Sequence, residues 1–440
     1  MTPSIRAIRT NDDLTVSHAC YIRLDLDPRG VVWPVEIFVL LFGIGRRRGR
    51  AFKMDFSIPQ EYIDFKEAVY RFSKEKLAPR AQELDARSEF SWDNWRDIAG
   101  MGLLGLPFPE KYGGSQATPL ATCIAMEAMS AAGVDAGTPL AWGAHTILCG
   151  IPIWLLGTEE QKEKYLPKLC SGEWVGAFGL TEPGSGSDAA AMKTCAERRG
   201  DVWTLNGSKM FVTNAPIANL FIIFASTNRA AGNRGISAFI VERDSPGLVV
   251  GKDLVKMGNR TSVTAELSFD NCEVPAENLL GPADGGFIAV GKETLEWERS
   301  CMIAPLIGGM QYMLEICAAY AKERRQFGKP IAEFQAIQHK LVDMKVAIEG
   351  SRLLVYRVAW LKQQGKSASM EAAIAKLWTT EAAVRVSYDA VQVFGGYGYI
   401  HDYPVERFYR DARLGTIGAG TSEVQKMVIA NELIKSFLKR

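Results

Sequence analysis

The chain has 440 residues, 47% hydrophobic and 23% charged, an ordinary globular composition that excludes collagen, coiled coil and wholesale disorder. At roughly 100–200 residues per domain, that length holds two to four domains. The 51 basic and 50 acidic side chains nearly cancel to +1, so no whole-molecule field draws nucleic acid, although a local basic pocket for a phosphorylated ligand stays open.

Residues 1–53 carry nine Arg/Lys against five Asp/Glu and keep neither a helical nor a strand period. Two readings stand: a targeting or regulatory arm, or a poorly ordered extension or over-long start with Met54 as the true beginning. The apolar stretch 35–45 contains Glu36 and is followed by Arg46, Arg47, Arg48 and Arg50. It falls short of the ~18 residues a membrane helix needs, and a secretory signal carries its positive charge first. Neither a signal nor a membrane span is expected. Helix then starts, with Ser57 as the expected N-cap, Pro59 in the first turn and Glu61 complementing the dipole.

From 60 to about 172 the pattern is helical: Tyr62, Phe65, Val69 and Phe72 recur at three- and four-residue steps. From 173 to 285 the period changes to two. Val202-Trp-Thr-Leu205, then Asn206-Gly207, then 209–213 reads as a hairpin. Stretches 220–225, 235–241, 248–251 and 264–269 read as further strands, making a small sandwich or barrel of about 110 residues. Helical period returns near 287–325, 333–364, 367–394 and 418–437. The fold expected is therefore multidomain α and β: an N-terminal helical domain (54–172), a central β-barrel or sandwich (173–285) and a C-terminal helical bundle (286–440). Eight cysteines and four histidines show no CxxC and no zinc spacing. No metal site is expected, and the thiols read as reduced, mostly buried groups of a cytoplasmic protein.

Three Gly-rich segments could carry chemistry. Gly184-Ser-Gly-Ser187 can bring main-chain N–H groups to an anion or a ring, or can be a surface turn. Gln392-Val-Phe-Gly-Gly-Tyr-Gly-Tyr399 closes a helix. Gly418-Ala-Gly-Thr-Ser-Glu423 precedes the last helix, where Thr421 or Ser422 would cap and the free N–H groups could hold a phosphate. Leu295-Glu-Trp-Glu-Arg299 puts two acids in a mainly apolar helix. At about 100° per residue Glu296 and Glu298 lie about 200° apart, so only one can face a given pocket. A carboxylate in an apolar pocket has a raised pKa and can serve as a general base near neutrality. A solvated face with an ion pair to Arg299 is the alternative.

Taken together, Met101-Gly-Leu-Leu-Gly-Leu-Pro107, Gly157-Thr-Glu-Glu-Gln-Lys162, Leu180-Thr-Glu-Pro-Gly-Ser-Gly-Ser-Asp188, Asn206-Gly-Ser-Lys209, Arg324-Arg-Gln-Phe-Gly328 and Arg410-Asp-Ala412 resemble the acyl-CoA dehydrogenase family from Met54 to Arg440. The resemblance implies FAD, a thioester substrate, loss of an α-proton to a base, transfer of a β-hydride to flavin N5, and a homotetramer. It implies acyl-CoA or an acyl carrier protein as substrate partner, electron-transfer flavoprotein or another acceptor, and neither nucleic acid nor membrane. By resemblance Phe178, Gly179, Leu180, Thr181, Gly186, Ser187, Phe211, Val212 and Thr213 lie along the flavin. Arg324 and Gln335 match positions holding the ADP part of a FAD, often the neighbouring subunit's. Gln392, Val393, Phe394, Gly395, Gly396, Thr421, Ser422 and Glu423 match further FAD contacts. Ser187, Arg299, Ala419 and Gly420 fall on the substrate side.

Many members carry their base where this chain has Ala419. The segment instead resembles the isovaleryl-CoA dehydrogenase-like branch, whose base position matches Glu298, with Glu296 as a rival. Glu296-Trp-Glu-Arg-Ser300 and Asn214-Ala-Pro-Ile-Ala218 also resemble dehydrogenases that oxidise acyl or aminoacyl groups, such as prolyl, on carrier proteins. A flavin-dependent monooxygenase on the same fold and a non-catalytic FAD-bearing protein complete the alternatives.

Overall fold

The computed structural model describes residues 57–438, the side chains of 290–292 and 436 excepted; the arm expected at 1–53 lies outside them. Pro59, not Ser57, is the N-cap of α1 (Gln60–Phe72), because its ring already holds φ at −53°. The helical region continues through α2 (Ala81–Arg87), α3 (Trp92–Gly100), α4 (Pro119–Ala131), α5 (Gly137–Gly143), α6 (Ile151–Leu156) and α7 (Glu159–Cys170). Thr158 and Gln161 cap α7 reciprocally, at 3.2 and 3.0 Å. Every residue of α4 from Ala121 onward is buried, as its Ala/Met/Ile-rich sequence dictates for a central bundle helix.

Strands follow: β1 (Gly176–Gly179), β2 (Cys195–Arg199), β3 (Val202–Thr213), β4 (Leu220–Ser226), β5 (Ile236–Glu242), β6 (Leu248–Val250), β7 (Thr264–Pro275) and β8 (Leu279–Leu280). They make one eight-stranded sheet ordered β6-β7-β3-β2-β4-β5-β8, with β1 lying parallel beside β4. The hairpin expected at Asn206-Gly207 does not form. β3 runs through it, pairing with β7, and the ladder shifts register between Leu205 and Gly207 and again between Lys209 and Val212. Gly207 sits at φ +140°, and a Cβ there would meet Thr194 Cα at 2.6 Å. Asn-Gly here supplies a bulge rather than a turn. β4 is apolar on both faces because both are buried. Leu220, Ile222 and Phe224 join the core shared with the helices, while Phe221, Ile223 and Ala225 join a second core within the sheet.

The stretch expected as one helix at 287–325 is two, α8 (Gly286–Cys301) and α9 (Ala304–Glu323), broken at Met302 and Ile303 with Pro305 in the first turn of α9. A short ribbon of β9 (Arg325–Gln326) and β10 (Lys329–Pro330) leads to α10 (Gln335–Gln363), α11 (Ser369–Phe394), α12 (Val405–Ala412) and α13 (Ser422–Leu438). α9 meets α4 at Gly308, where a Cβ would stand 2.0 Å from Glu127 O. Against the expectation of none, Gly137–Leu156 and Gly286–Glu323 are long and apolar enough to cross a membrane by length and composition. The apolar window of Gly137–Leu156 is 72% buried inside the molecule, as in a core helix; that of Gly286–Glu323 is 50% buried, and this stretch is the one broken between α8 and α9.

Candidate active site

α8 carries both acids, and the fold separates them. Glu296 is buried and spoken for: Lys362 Nζ lies 3.0 Å away, and Ser367 Oγ and Ala368 N each donate to it at 3.3 Å. Glu298 is half-buried, and no hydrogen bond or ion pair engages its carboxyl among the described residues. Burial pushes its pKa up to about 7, while the charges of Arg299 and Lys376 pull it down. The sequence leaves the two acids open; the structure commits Glu296 to an ion pair and leaves Glu298 available to take a proton.

The turn before α13 closes on the same place. Ala419 takes φ +56°, a left-handed conformation costly for a residue with a Cβ, and Gly420 follows at +85°. Lys376 Nζ donates to Gly420 O at 2.6 Å, and Gln425 Nε2 donates to Ala419 O and Gly420 O, both at 3.0 Å. A Cβ on Gly420 would come 3.7 Å from Arg299 Nη2, so the guanidinium borders this turn. Arg299 Nε and Gln425 Oε1 are buried with no hydrogen-bond partner among the described residues. Thr421, rather than Ser422, caps α13, its Oγ1 accepting from Val424 N at 3.3 Å; Ser422 Oγ donates to Glu381 at 2.5 Å. Glu423 stands exposed in the first turn.

A second cluster lies on the sheet. Met210 N donates to Thr181 O at 2.8 Å, tying the loop after β1 to the bulge of β3. At that bulge Phe211 takes φ +59° and stands 64% exposed. Beneath it Lys209 is fully buried, donating to Glu182 Oε1 at 2.7 Å and to Leu180 O at 3.2 Å. Glu182 also accepts from Lys193 N and Thr194 N, so one carboxylate fixes both ends of the Gly184–Ser187 loop. Gly186 and Ser187 are exposed, and Thr213 is half-buried. Phe178 packs on Phe224, ring centroids 5.2 Å apart, with Gly179 against Ile223. Val212 is buried in the sheet core and can offer only its main chain.

Arg324, Gln335, Gln392, Gly395 and Gly396 are exposed. The Arg324 guanidinium lies 5.7 Å from the Tyr397 ring, which brings it to the turn closing α11. Val393 and Phe394 face inward, Phe394 stacked on Tyr320 at 4.2 Å. No hydrogen bond or ring contact joins this group to Phe211 or the 178–187 loop among the described residues. Sequence reasoning missed Lys376, Lys209 and Glu182. The signal for Lys376 was a lone lysine in step with Ala372, Thr379 and Ala383 on the buried face of α11.

Three family profiles match: "Acyl-CoA dehydrogenase, N-terminal domain" over residues 59–173, "middle domain" over 177–272 and "C-terminal domain" over 284–434. The short-chain specific acyl-CoA dehydrogenase of Clostridium acetobutylicum is 43% identical over 382 residues, covering 87% of this chain and all of its own. The mitochondrial isovaleryl-CoA dehydrogenase of Oryza sativa subsp. japonica is 44% identical over 373 residues, 84% of this chain and 90% of its own. Among solved structures, the prolyl acyl carrier protein oxidase AnaB superposes with TM-score 0.84 at 39% identity, covering 86% of this chain and 100% of its own. A chain from the electron transferring flavoprotein study of Acidaminococcus fermentans does so with TM-score 0.84 at 43% identity, covering 86% and 99%. PigA with FAD and proline gives 0.84 at 35%, again covering 86% and 99%.

The chain belongs to the acyl-CoA dehydrogenase family. It is an FAD-dependent oxidoreductase of the acyl-CoA dehydrogenase class. The residues fit that cofactor. Phe211 offers an unpacked aromatic ring beside a tied-down loop, and a Cβ on Gly184 or Gly186 would meet nothing within 4 Å, leaving their main chain open to a ligand.

Proposed function

We propose that Glu298 is the base of an α,β-dehydrogenation of an acyl thioester. The observation that carries this is the contrast on α8: Glu296 is bonded to Lys362, Ser367 and Ala368, whereas no hydrogen bond or ion pair among the described residues engages Glu298, whose carboxyl burial pushes toward neutrality. Bound FAD supplies the acceptor for the β-hydride. Leu180, Thr181, Gly186, Ser187 and Phe211 would hold it, with Thr421 and Glu423 at the mouth of α13. Arg299 and the Ala419-Gly420 turn border the substrate, and the unpartnered Arg299 Nε is a donor awaiting it. Glu298 takes the α-proton as a carboxylate, so flavin bleaching rises with pH through about 7.

Acyl-CoA is the first substrate class tested, and acyl or prolyl groups on carrier proteins the second, because AnaB superposes as well as the other structures do. Electron-transfer flavoprotein is the proposed acceptor. A homotetramer is proposed on Arg324 and Gln335, exposed at a surface apart from the Phe211 site. A cytoplasmic location is read from eight cysteines without paired spacing. The test is anaerobic titration of the purified yellow protein with acyl-CoAs and with carrier-bound acyl groups. Bleaching by one class assigns the substrate. Reaction only with oxygen after external reduction of the flavin indicates a monooxygenase and overturns the proposal.

A further inference from the structure

We propose that Lys376 is a positioning residue for the base: its ammonium ties down the turn before α13, which borders the residue next to Glu298, and stabilises the carboxylate of Glu298. For its kinetic consequence this rests on Glu298 being the base. Lys376 is 1% exposed, and its ammonium donates to one carbonyl, Gly420 O, at 2.6 Å. A buried ammonium without an ion pair is costly, and an alanine-rich helix face could have held an apolar residue at no such cost. The carbonyl alone does not need a cation, because Gln425 Nε2 already donates to it at 3.0 Å. What the ammonium adds is charge.

The charged groups bearing on Lys376 are Glu298 and Arg299 from α8, Glu381 from its own helix and Glu423 from α13. Glu381 accepts from Ser422 Oγ at 2.5 Å, and Glu423 is exposed to water. Among the described residues Glu298 is the acid that no hydrogen bond or ion pair engages, and the cations bearing on it are Arg299 and Lys376. Arg299 follows Glu298 directly on α8 and borders Gly420, whose carbonyl Lys376 holds, so the turn before α13 brings a cation of α11 to the residue next to the base. Lys376 thereby couples the geometry of the strained Ala419-Gly420 turn to the readiness of the base.

The test uses the full FAD-loaded chain and the variants Lys376→Met, Lys376→Gln and Lys376→Arg. The carboxyl stretch of Glu298, assigned by its loss in Glu298→Gln, is titrated by difference infrared spectroscopy without turnover. The midpoint is expected to rise by about one pH unit in Lys376→Met and Lys376→Gln and to stay within a few tenths in Lys376→Arg. The pH profile of anaerobic flavin bleaching should move by the same amount. Gln keeps a donor for Gly420 O, so Lys376→Gln should melt near wild type and decides the matter if Lys376→Met does not fold. A folded Lys376→Gln with an unmoved midpoint overturns the inference. Failure of the base assignment looks different: Glu298→Gln bleaches at the wild-type rate while the infrared midpoint still moves.

Discussion

At the scale of single residues, burial and partners decide what a titratable group does. His145 is fully buried between Leu169 O, 3.0 Å from Nε2, and Gly176 N, which donates to Nδ1 at 3.0 Å. A neutral ring satisfies both, and burial pushes its pKa down to about 4. The unfolded imidazole binds a proton near 6.5 and the folded one does not, so this stability is full above 6.5 and is lost as pH falls toward 4. Relative to His145→Gln, wild type should lose about 3 kcal/mol over that window, read as a steeper fall of Tm from pH 7 to 4.5. Parallel curves would contradict it. Glu298 was legible in sequence because its context, two acids in an apolar helix before an arginine, is local. That Glu296 is consumed by Lys362 was not legible, since the partners lie 66 residues apart. Lys376 escaped for the same reason.

At the scale of elements, the Gly184–Ser187 loop and the α4–α9 contact each depend on one residue. Lys209 supports the loop from beneath through Glu182, and burial lowers its pKa to about 8. Lys209→Met leaves the Glu182 carboxylate buried and unpaired, a loss of about 3–5 kcal/mol. Weakened FAD retention, seen as free flavin fluorescence on gel filtration, is the expected readout; retention as tight as wild type contradicts the loop's dependence on this pair. Gly308→Ala drives a methyl into Glu127 O and should cost about 1–3 kcal/mol, read as a lower Tm at fixed FAD concentration. The helix–strand–helix order was plain from the change of hydrophobic period. The continuity of β3 was not: Asn206-Gly207 carries the local chemistry of a turn, and only the pairing with β7 and the closeness of Thr194 make it a bulge.

At the scale of the whole molecule, the C-terminal helices keep apolar faces uncovered. Val342, Val346 and Leu353 lie 57–62% exposed along one stripe of α10, and Met427, Ile434 and Leu438 lie 57–82% exposed along α13. Monomers rarely leave such stripes to water. An oligomer is expected by light scattering, with Arg324→Ala lowering FAD content if its surface meets a neighbour's cofactor; an active monomer with full FAD contradicts this. The central claim remains the proton step. Stopped-flow bleaching of the flavin by substrate, in wild type, Glu298→Gln and Glu296→Gln, tests it most directly. Positioned general-base catalysis is worth roughly 10²–10⁴-fold, so Glu298→Gln should slow bleaching by about that factor with FAD still bound. Glu296→Gln should slow it far less. Bleaching at the wild-type rate in Glu298→Gln, with the loss falling on Glu296→Gln instead, would contradict the account.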